Sequence, residues 1–239
     1  MNLPLHVSDS RPELVLASMS PRRRELLALG GWSFAILPAD IDETPLPGEK
    51  PQAYVRRLAA TKARVAAEEA SLHYPGLPLV ASDTAVVDGT EILGKPADAA
   101  DATRMLRRLR GHAHQVFTAL AVLDPRSETW LEDVCITDVP MRNYSDLEID
   151  AYVATGDPLD KAGAYAIQHP VFKPVERLHG CYPSVMGLPL CHLARLLSQI
   201  GLPPRTGITR ACLIDPDAPC DVFLFPRHTD LGPGRGIEG

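Results

Sequence analysis

A short apolar run, Leu14-Val15-Leu16-Ala17, breaks at Ser18-Met19-Ser20 and passes at once into a basic helix start, Pro21-Arg22-Arg23-Arg24. No other stretch constrains the fold as strongly. The apolar run is of strand type, and Arg22 to Leu27 follows a helical rhythm. Ser20 is a good N-cap, and Pro21 suits the first helical position, where a missing N–H costs nothing. A strand therefore hands over to a helix N-terminus carrying backbone N–H groups, hydroxyls and arginines. Such a place binds anions, phosphate above all. An ordinary capped helix with a solvated basic turn fits the same residues, although basic side chains there oppose the helix dipole.

The net charge of −6 argues against general affinity for nucleic acid, so anion binding must be local. With 239 residues, 45% of them hydrophobic, the chain can bury a full core. Its five cysteines (Cys135, Cys181, Cys191, Cys212, Cys220) form no CxxC pair and fit a reducing compartment. No stretch approaches the ~18 apolar residues of a membrane span, and residues 1–12 lack the apolar core of a signal peptide. The expectation is a soluble cytoplasmic protein with neither nucleic acid nor membrane as partner.

Residues 1–12 read as a loose leader, 13–201 as one domain, and 202–239, rich in Pro, Gly, Arg and Asp, as a disordered tail. Within the domain, strands are expected at Glu13–Ala17, Trp32–Pro38 and Leu77–Ala81, the last ending in Ser82-Asp83-Thr84. Helices are expected at Ser20–Gly30 and Pro51–His73, the latter with Lys62 on the edge of its inward face. An Asp88-Gly89 hairpin follows, then a helix over Ala99–Leu109 and a long antiparallel pair, His112–Leu123 with Thr129–Met141. Ser145 and Glu148 form a capping box for a helix to Thr155. A strand at Val175–His179 and a last helix from Gly187 to Ile200 complete the order. This is a mixed α/β chain, a mixed sheet flanked by helices, and its antiparallel pairs exclude a pure doubly wound fold.

Several polar residues sit where strands or hairpins end, the usual place for sites in such folds. Asp83 can serve as general base or hold a divalent metal, or simply cap its own turn. Glu43 lies in the acidic loop Asp40–Thr44. Lys95, in Gly-Lys-Pro, can neutralise a phosphate. Lys161 and Gln168 flank a Gly-Ala-Tyr-Ala segment small enough for a ligand to approach the backbone. His112 and His114 share a strand face but lack the third ligand a metal needs. The arginines at 104, 107, 108 and 110 read as a solvated helix face. P-loop and dinucleotide-binding glycine motifs are absent.

Seven blocks together resemble the Maf proteins, nucleoside triphosphate pyrophosphatases: Ser18-Met-Ser-Pro-Arg-Arg23, Asp42-Glu43-Thr44, Ala60-Thr-Lys-Ala-Arg64, Ser82-Asp-Thr84, Gly94-Lys-Pro96, Asp160–Gln168 and Val185-Met-Gly-Leu-Pro189. The resemblance covers about residues 13–200. It implies an elongated mixed sheet with a central cleft, related to the inosine triphosphatase architecture, and usually a homodimer. It also implies hydrolysis of a nucleoside triphosphate to monophosphate and pyrophosphate with a divalent cation, Mg²⁺ or Mn²⁺. By resemblance, Asp83 is the base, Glu43 and Asp83 are the metal candidates, and Lys62 and Lys95 complete the catalytic group. Ser18, Ser20, Arg22, Arg23, Thr84, Lys161 and Gln168 would bind substrate. Arg22, Thr84 and Gln168 match the dTTP/UTP branch of the family; the branch acting on 7-methyl-GTP tends to have Trp, Gln and Glu there. A nucleotide-binding regulator of cell division without turnover is the alternative reading. Which carboxylate meets metal and which meets water stays open. The tail and the Arg24 extension depart from the family pattern.

Overall fold

The computed structural model describes residues 11–178 and 180–208. Most of the expected leader and most of the expected tail therefore lie outside the described residues. The elements are β1 (Leu14–Leu16), α1 (Pro21–Leu29), β2 (Phe34–Ile36), α2 (Pro51–His73), β3 (Leu79–Asp88), β4 (Glu91–Leu93), α3 (Ala99–Leu109), β5 (Ala113–Asp124), β6 (Thr129–Pro140), α4 (Asp146–Val153), α5 (Tyr182–Met186) and α6 (Leu190–Gln199). Two 3₁₀ turns, Asp157–Asp160 and Ala162–Ala164, join α4 to the loop before α5.

The sheet has six strands in the order β2-β1-β3-β5-β6, with β4 on the far half of β3. β1 runs parallel to β2 and β3, whereas β3, β5 and β6 form an antiparallel set. β1 pairs with β3 at Leu79 and Val80, and β4 pairs with it from Val86 to Asp88. Between these contacts, one edge of β3 has no strand beside it, and Ser82-Asp83-Thr84 occupies that gap. The sequence predicts a strand ending at these residues. Instead β3 continues through them, and it is the neighbouring β1 that stops.

Alternation along β3 then sorts the side chains. Ala81, Asp83 and Ala85 face α2 and share its core with Val55, Leu58 and Ala59. Ser82 and Thr84 face the opposite side, where α1 and α6 pack Leu26, Leu27, Leu193 and Leu197 over β1 and β5. A third core, around Leu106, Tyr144, Ile149 and Phe172, closes the end covered by α3 and α4.

Local chemistry sets most element ends as expected. Ser20 accepts from Arg23 N at the start of α1, and Ser145 with Glu148 forms the capping box of α4. The expected strand at Val175–His179 reduces to a single bridge, Val175 with Met141. The last helix does not start at Gly187. Gly187, at φ +108°, ends α5, and Pro189 caps α6, so the Gly-Leu-Pro motif is a break between two helices.

The chain remains packed beyond residue 201, where the sequence reading begins its tail. Trp32 Nε1 donates to Leu202 O at 3.2 Å, Arg205 pairs with Glu13, Thr206 donates to Leu29 O, and Ile208 is buried. A chain ending at Pro203 should therefore be less stable than one ending at Ile208, by about 2 kcal/mol, the low end for losing a buried isoleucine. Equal urea midpoints for the two chains would show that residues 204–208 contribute nothing.

Candidate active site

α2 carries Lys62 to the seam beneath the gap in the sheet. Its ammonium is bonded to Glu43 Oε1 and Asp83 Oδ1, both at 2.6 Å. Lys62 is 8% exposed and Asp83 5%, so an ammonium and a carboxylate share a site largely closed to water. Burial pushes the Asp83 carboxyl above its usual range, against the pull of Lys62 and Arg23. Burial also pushes Glu43 up, but Lys62, Lys95 and Arg23 outweigh it and hold this half-exposed acid below the ordinary range. Two carboxylates on one ammonium are thus set apart in basicity, Asp83 being the stronger base.

The Glu43 loop is tied to α2. Tyr54 Oη donates to Glu43 O at 2.8 Å, Arg57 donates to Thr44 O, and Asp42 accepts from Thr44 N. On the other side of β3, Arg23 is fixed by three contacts. Nε donates to Gly187 O at 2.9 Å, Nη1 to Ser18 Oγ and Nη2 to Thr84 Oγ1, both at 3.3 Å. Ser82 Oγ, fully buried, donates to the same Gly187 carbonyl at 2.8 Å. Thr118 donates its proton to Ser184 O at 2.8 Å, so across the 3.0 Å Thr84–Thr118 contact the donor is Thr84. A one-way chain results: Arg23 to Thr84, to Thr118, to Ser184 O.

Ser18, Arg23, Glu43, Lys62, Asp83, Thr84 and Gly187 line a cleft of about 440 Å³ together with Arg22, Lys95, Lys161, Tyr165 and Gln168. Ser18 is buried, whereas Lys95 and Gln168 are exposed. All the site residues expected from sequence therefore converge on one cavity. Their roles shift in three places. Ser20 is occupied as the helix cap. Arg23, rather than Arg22, is the arginine held from both sides. Lys161 lines the cleft, but its ammonium is bonded to Asp157 O, Asp157 Oδ1 and Asp160 Oδ1 at 2.6, 3.0 and 2.6 Å, which uses all three protons.

Sequence reasoning missed the Gly187 carbonyl, Ser82 and Tyr165. Only the short motifs around them gave a signal. Gly163, at φ +68°, lets the Tyr165 segment lie against β3, since a Cβ there would meet Val86 Cγ1 at 2.8 Å. The two histidines considered for metal do not act together. His112 is exposed and bonded to Asp88, whereas buried His114 holds Tyr165 Oη at 2.8 Å. Among the described residues no three His, Cys, Asp or Glu side chains form a metal cluster.

A mixed α/β fold whose split sheet edge holds a buried carboxylate–ammonium pair beside a basic helix start defines a binder of phosphorylated ligands with a base at hand. Comparison with known proteins narrows this class. A family model described as Maf-like protein matches residues 13–200. A dTTP/UTP pyrophosphatase of Anaeromyxobacter dehalogenans (strain 2CP-1) is 52% identical over 194 residues, covering 80% of this chain and 96% of that protein. Relatives of the same name from Geobacter sulfurreducens and Chromobacterium violaceum are 48% and 45% identical, over 79% and 82% of this chain and 96% and 98% of their own lengths. The chain belongs to the Maf family.

His114 gives the site a pH limit. Burial pulls its pKa from 6.5 down to about 4, so the folded ring is neutral and accepts the Tyr165 proton. The unfolded ring titrates near 6.5. As the pH falls from 6.5 towards 4, the unfolded state takes up protons that the native ring refuses. Stability then falls by up to about 3 kcal/mol. The stability difference between wild type and His114→Gln, from urea unfolding, should shrink by that order across the window. A difference independent of pH would mean that the ring titrates normally.

Proposed function

We infer that this chain hydrolyses dTTP and UTP to the monophosphate and pyrophosphate. The single observation that carries the chemistry is the buried Asp83–Lys62–Glu43 array opening onto a basic cleft. The substrate class is supported by relatives named dTTP/UTP pyrophosphatase over 95% or more of their own lengths. A regulator without turnover has no use for a desolvated base.

The residues divide the work as follows. Asp83, made more basic by burial, takes a proton from a water placed in line with the α-phosphorus. Lys62 fixes the Asp83 and Glu43 carboxylates. Arg22, Arg23 and Lys95 hold the phosphate oxygens, and the α1 N-terminus with Ser18 adds hydrogen bonds. Thr84 acts through Arg23, since its proton is committed to Thr118. Lys161 shapes the wall through its stem while its ammonium ties the Asp157–Asp160 turn. Gln168 and Tyr165 lie where the base would rest, and a neutral amide can both donate to and accept from a pyrimidine edge.

Glu43 and Asp83 are the residues that would hold a divalent cation, Mg²⁺ or Mn²⁺. They fit this role because each has a second carboxylate oxygen beyond the one on Lys62. When bound, such a cation neutralises phosphate charge as the leaving group departs. The homodimer implied by the family resemblance and the cytoplasmic location expected from composition belong to this proposal. Among the described residues, no helix is long and apolar enough to cross a membrane.

Asp83→Asn should keep the fold and nucleotide binding while kcat drops by ~10² or more. Pyrophosphate release within a few-fold of wild type would remove Asp83 from the chemistry. In a panel of dTTP, UTP, GTP and 7-methyl-GTP, the pyrimidine nucleotides should have the higher kcat/KM. Gln168→Glu alone should move preference towards 7-methyl-GTP, because a carboxylate favours a cationic base. Replacing Thr84 as well would disturb Arg23 and blur the result. Equal use of 7-methyl-GTP and dTTP by wild type would sink the branch assignment.

A further inference from the structure

Outside the cleft, on the sheet face that bears Ser82 and Thr84, lies a second cluster of reactive side chains. Cross-strand register runs Thr84–Thr118–Cys135 over β3, β5 and β6. Asp133, Cys135 and Thr137 alternate along β6 on this face. Facing them are Cys181 and Ser184 from the start of α5, and His192 from α6. Gly180 packs so closely on Thr137 that a Cβ there would meet Thr137 Cγ2 at 2.9 Å, which sets Cys181 beside Cys135. His192 Nδ1 lies 2.6 Å from Asp133 Oδ2, and Arg195 binds the same carboxylate. His192 Nε2 and Ser184 Oγ are buried without a conventional hydrogen-bond partner. Both act on the Cys135 sulfur, as does Cys181. Cys135 and Cys181 are 3% and 2% exposed.

We propose that Cys135 and Cys181 are a peroxide-oxidisable dithiol that closes to a disulfide, with His192 as its proton donor. The cluster holds the proton in the right place. Cys181 first, then the neighbouring His192, draws the Cys135 thiol down to about 4 despite its burial, and the Asp133 and Cys135 partners outweigh burial to raise His192 to about 9. Both shifts favour moving the Cys135 proton to His192. The thiolate attacks one oxygen of hydrogen peroxide. An S–O bond forms, the O–O bond breaks, and the departing hydroxide takes the His192 Nε2 proton and leaves as water. Cys181 sulfur then attacks the sulfenic sulfur of Cys135. The S–S bond forms, the S–O bond breaks, and the hydroxyl leaves as a second water with the Cys181 proton. Each sulfur loses one electron, and the two peroxide oxygens gain them.

The pair sits at the outer end of the hydrogen-bonded chain that positions Arg23. Ser184 O and Gly187 O, which receive Thr118 and Arg23, follow Cys181 by three and six residues. Closing the bond sets the two sulfurs about 2.05 Å apart and so resets how the start of α5 sits against β6. The kinetic consequence rests on the reading of Arg23 as a phosphate ligand; the disulfide itself does not.

The test treats full-length reduced protein with stoichiometric hydrogen peroxide, blocks remaining thiols and maps peptides by mass spectrometry. A peptide pair joined through Cys135 and Cys181 is expected. In Cys181→Ser the reaction should stop at a Cys135 sulfenic acid that dimedone labels. The proposal is overturned by reduced Cys135 under these conditions, by disulfides that involve only Cys191, Cys212 or Cys220, or by stoichiometric zinc on the two thiols of the purified protein. The oxidised protein should have a several-fold higher KM for dTTP, reversed by dithiothreitol. A mapped disulfide with unchanged KM would overturn the coupling to Arg23, and because mapping needs no nucleotide, failure of the substrate reading is seen separately.

Discussion

One ammonium, Lys62 Nζ, joins the two halves of the catalytic cleft. It enters from α2, meets Asp83 from the middle of β3, and meets Glu43 from the loop before α2. A buried lysine without a partner would lose its proton, and a buried aspartate would gain one. Together they keep both charges in a place that excludes most water. The arrangement requires a long helix lying on the sheet with alanines at its contact points. Ala59, Ala63 and Ala66 let α2 sit close to β3, and Lys62 is set between them at the cleft edge. Bulkier residues would lift the ammonium away from Asp83.

The opposite wall depends on a carbonyl. Gly187 O receives both Ser82 and Arg23, and the αL geometry at Gly187 is what turns that oxygen inward. Space is limited there as well: a Cβ on Gly187 would lie 3.1 Å from Arg23 Nε. The strand gap, the helix start of α1 and the α5–α6 break thus meet at one arginine. Its burial weakens its hold on its proton, and Asp83 restores part of it. Arginine suits this place better than lysine because its planar fork can meet three acceptors and still present an edge to a phosphate.

The sequence made the element order legible because the periodicities are strong. Pro51–His73 and Ala99–Leu109 carry unmistakable helical patterns and obey them to the residue. The convergence of Ser18, Glu43, Lys62, Asp83 and Lys95 was legible through the family resemblance, not through spacing. What failed to show was whatever depends on who sits beside whom. The gap that exposes Asp83 arises from β1 being only three residues long, and a strand's length does not reveal where its neighbour needs it. Lys161 was expected to bind substrate by resemblance, and spacing does not reveal that its ammonium is also held by Asp157 and Asp160. Thr84 looked like a contact for the base because the hydroxyl of Thr118 lies 34 residues away. Val175–His179 has strand composition, but among its described residues, 175–178, the pairing is one bridge of Val175 with Met141 beside a Glu176 N bond to Pro140 O.

The charge balance of the cleft bears on what can occupy it. Apart from Lys161 and Asp160, which pair with each other, Arg22, Arg23, Lys62 and Lys95 bring four positive charges, and Glu43 and Asp83 bring two negative ones. The surplus attracts a polyanion but falls short of matching a triphosphate. Two of the four cations are also compromised as ligands: Lys62 is held by the carboxylates, and Arg23 is held by Gly187, Ser18 and Thr84. A triphosphate arriving alone would press its charge against Glu43, whose position at the cleft edge would then be unfavourable. Were a divalent cation held there, Glu43 would serve as its ligand rather than repel the phosphates. The low pKa of Glu43 keeps it ionised for this purpose, while the higher pKa of Asp83 leaves that group free to take a proton. The two acids on Lys62 are thus set apart by their surroundings, Glu43 by the cations around it and Asp83 by burial.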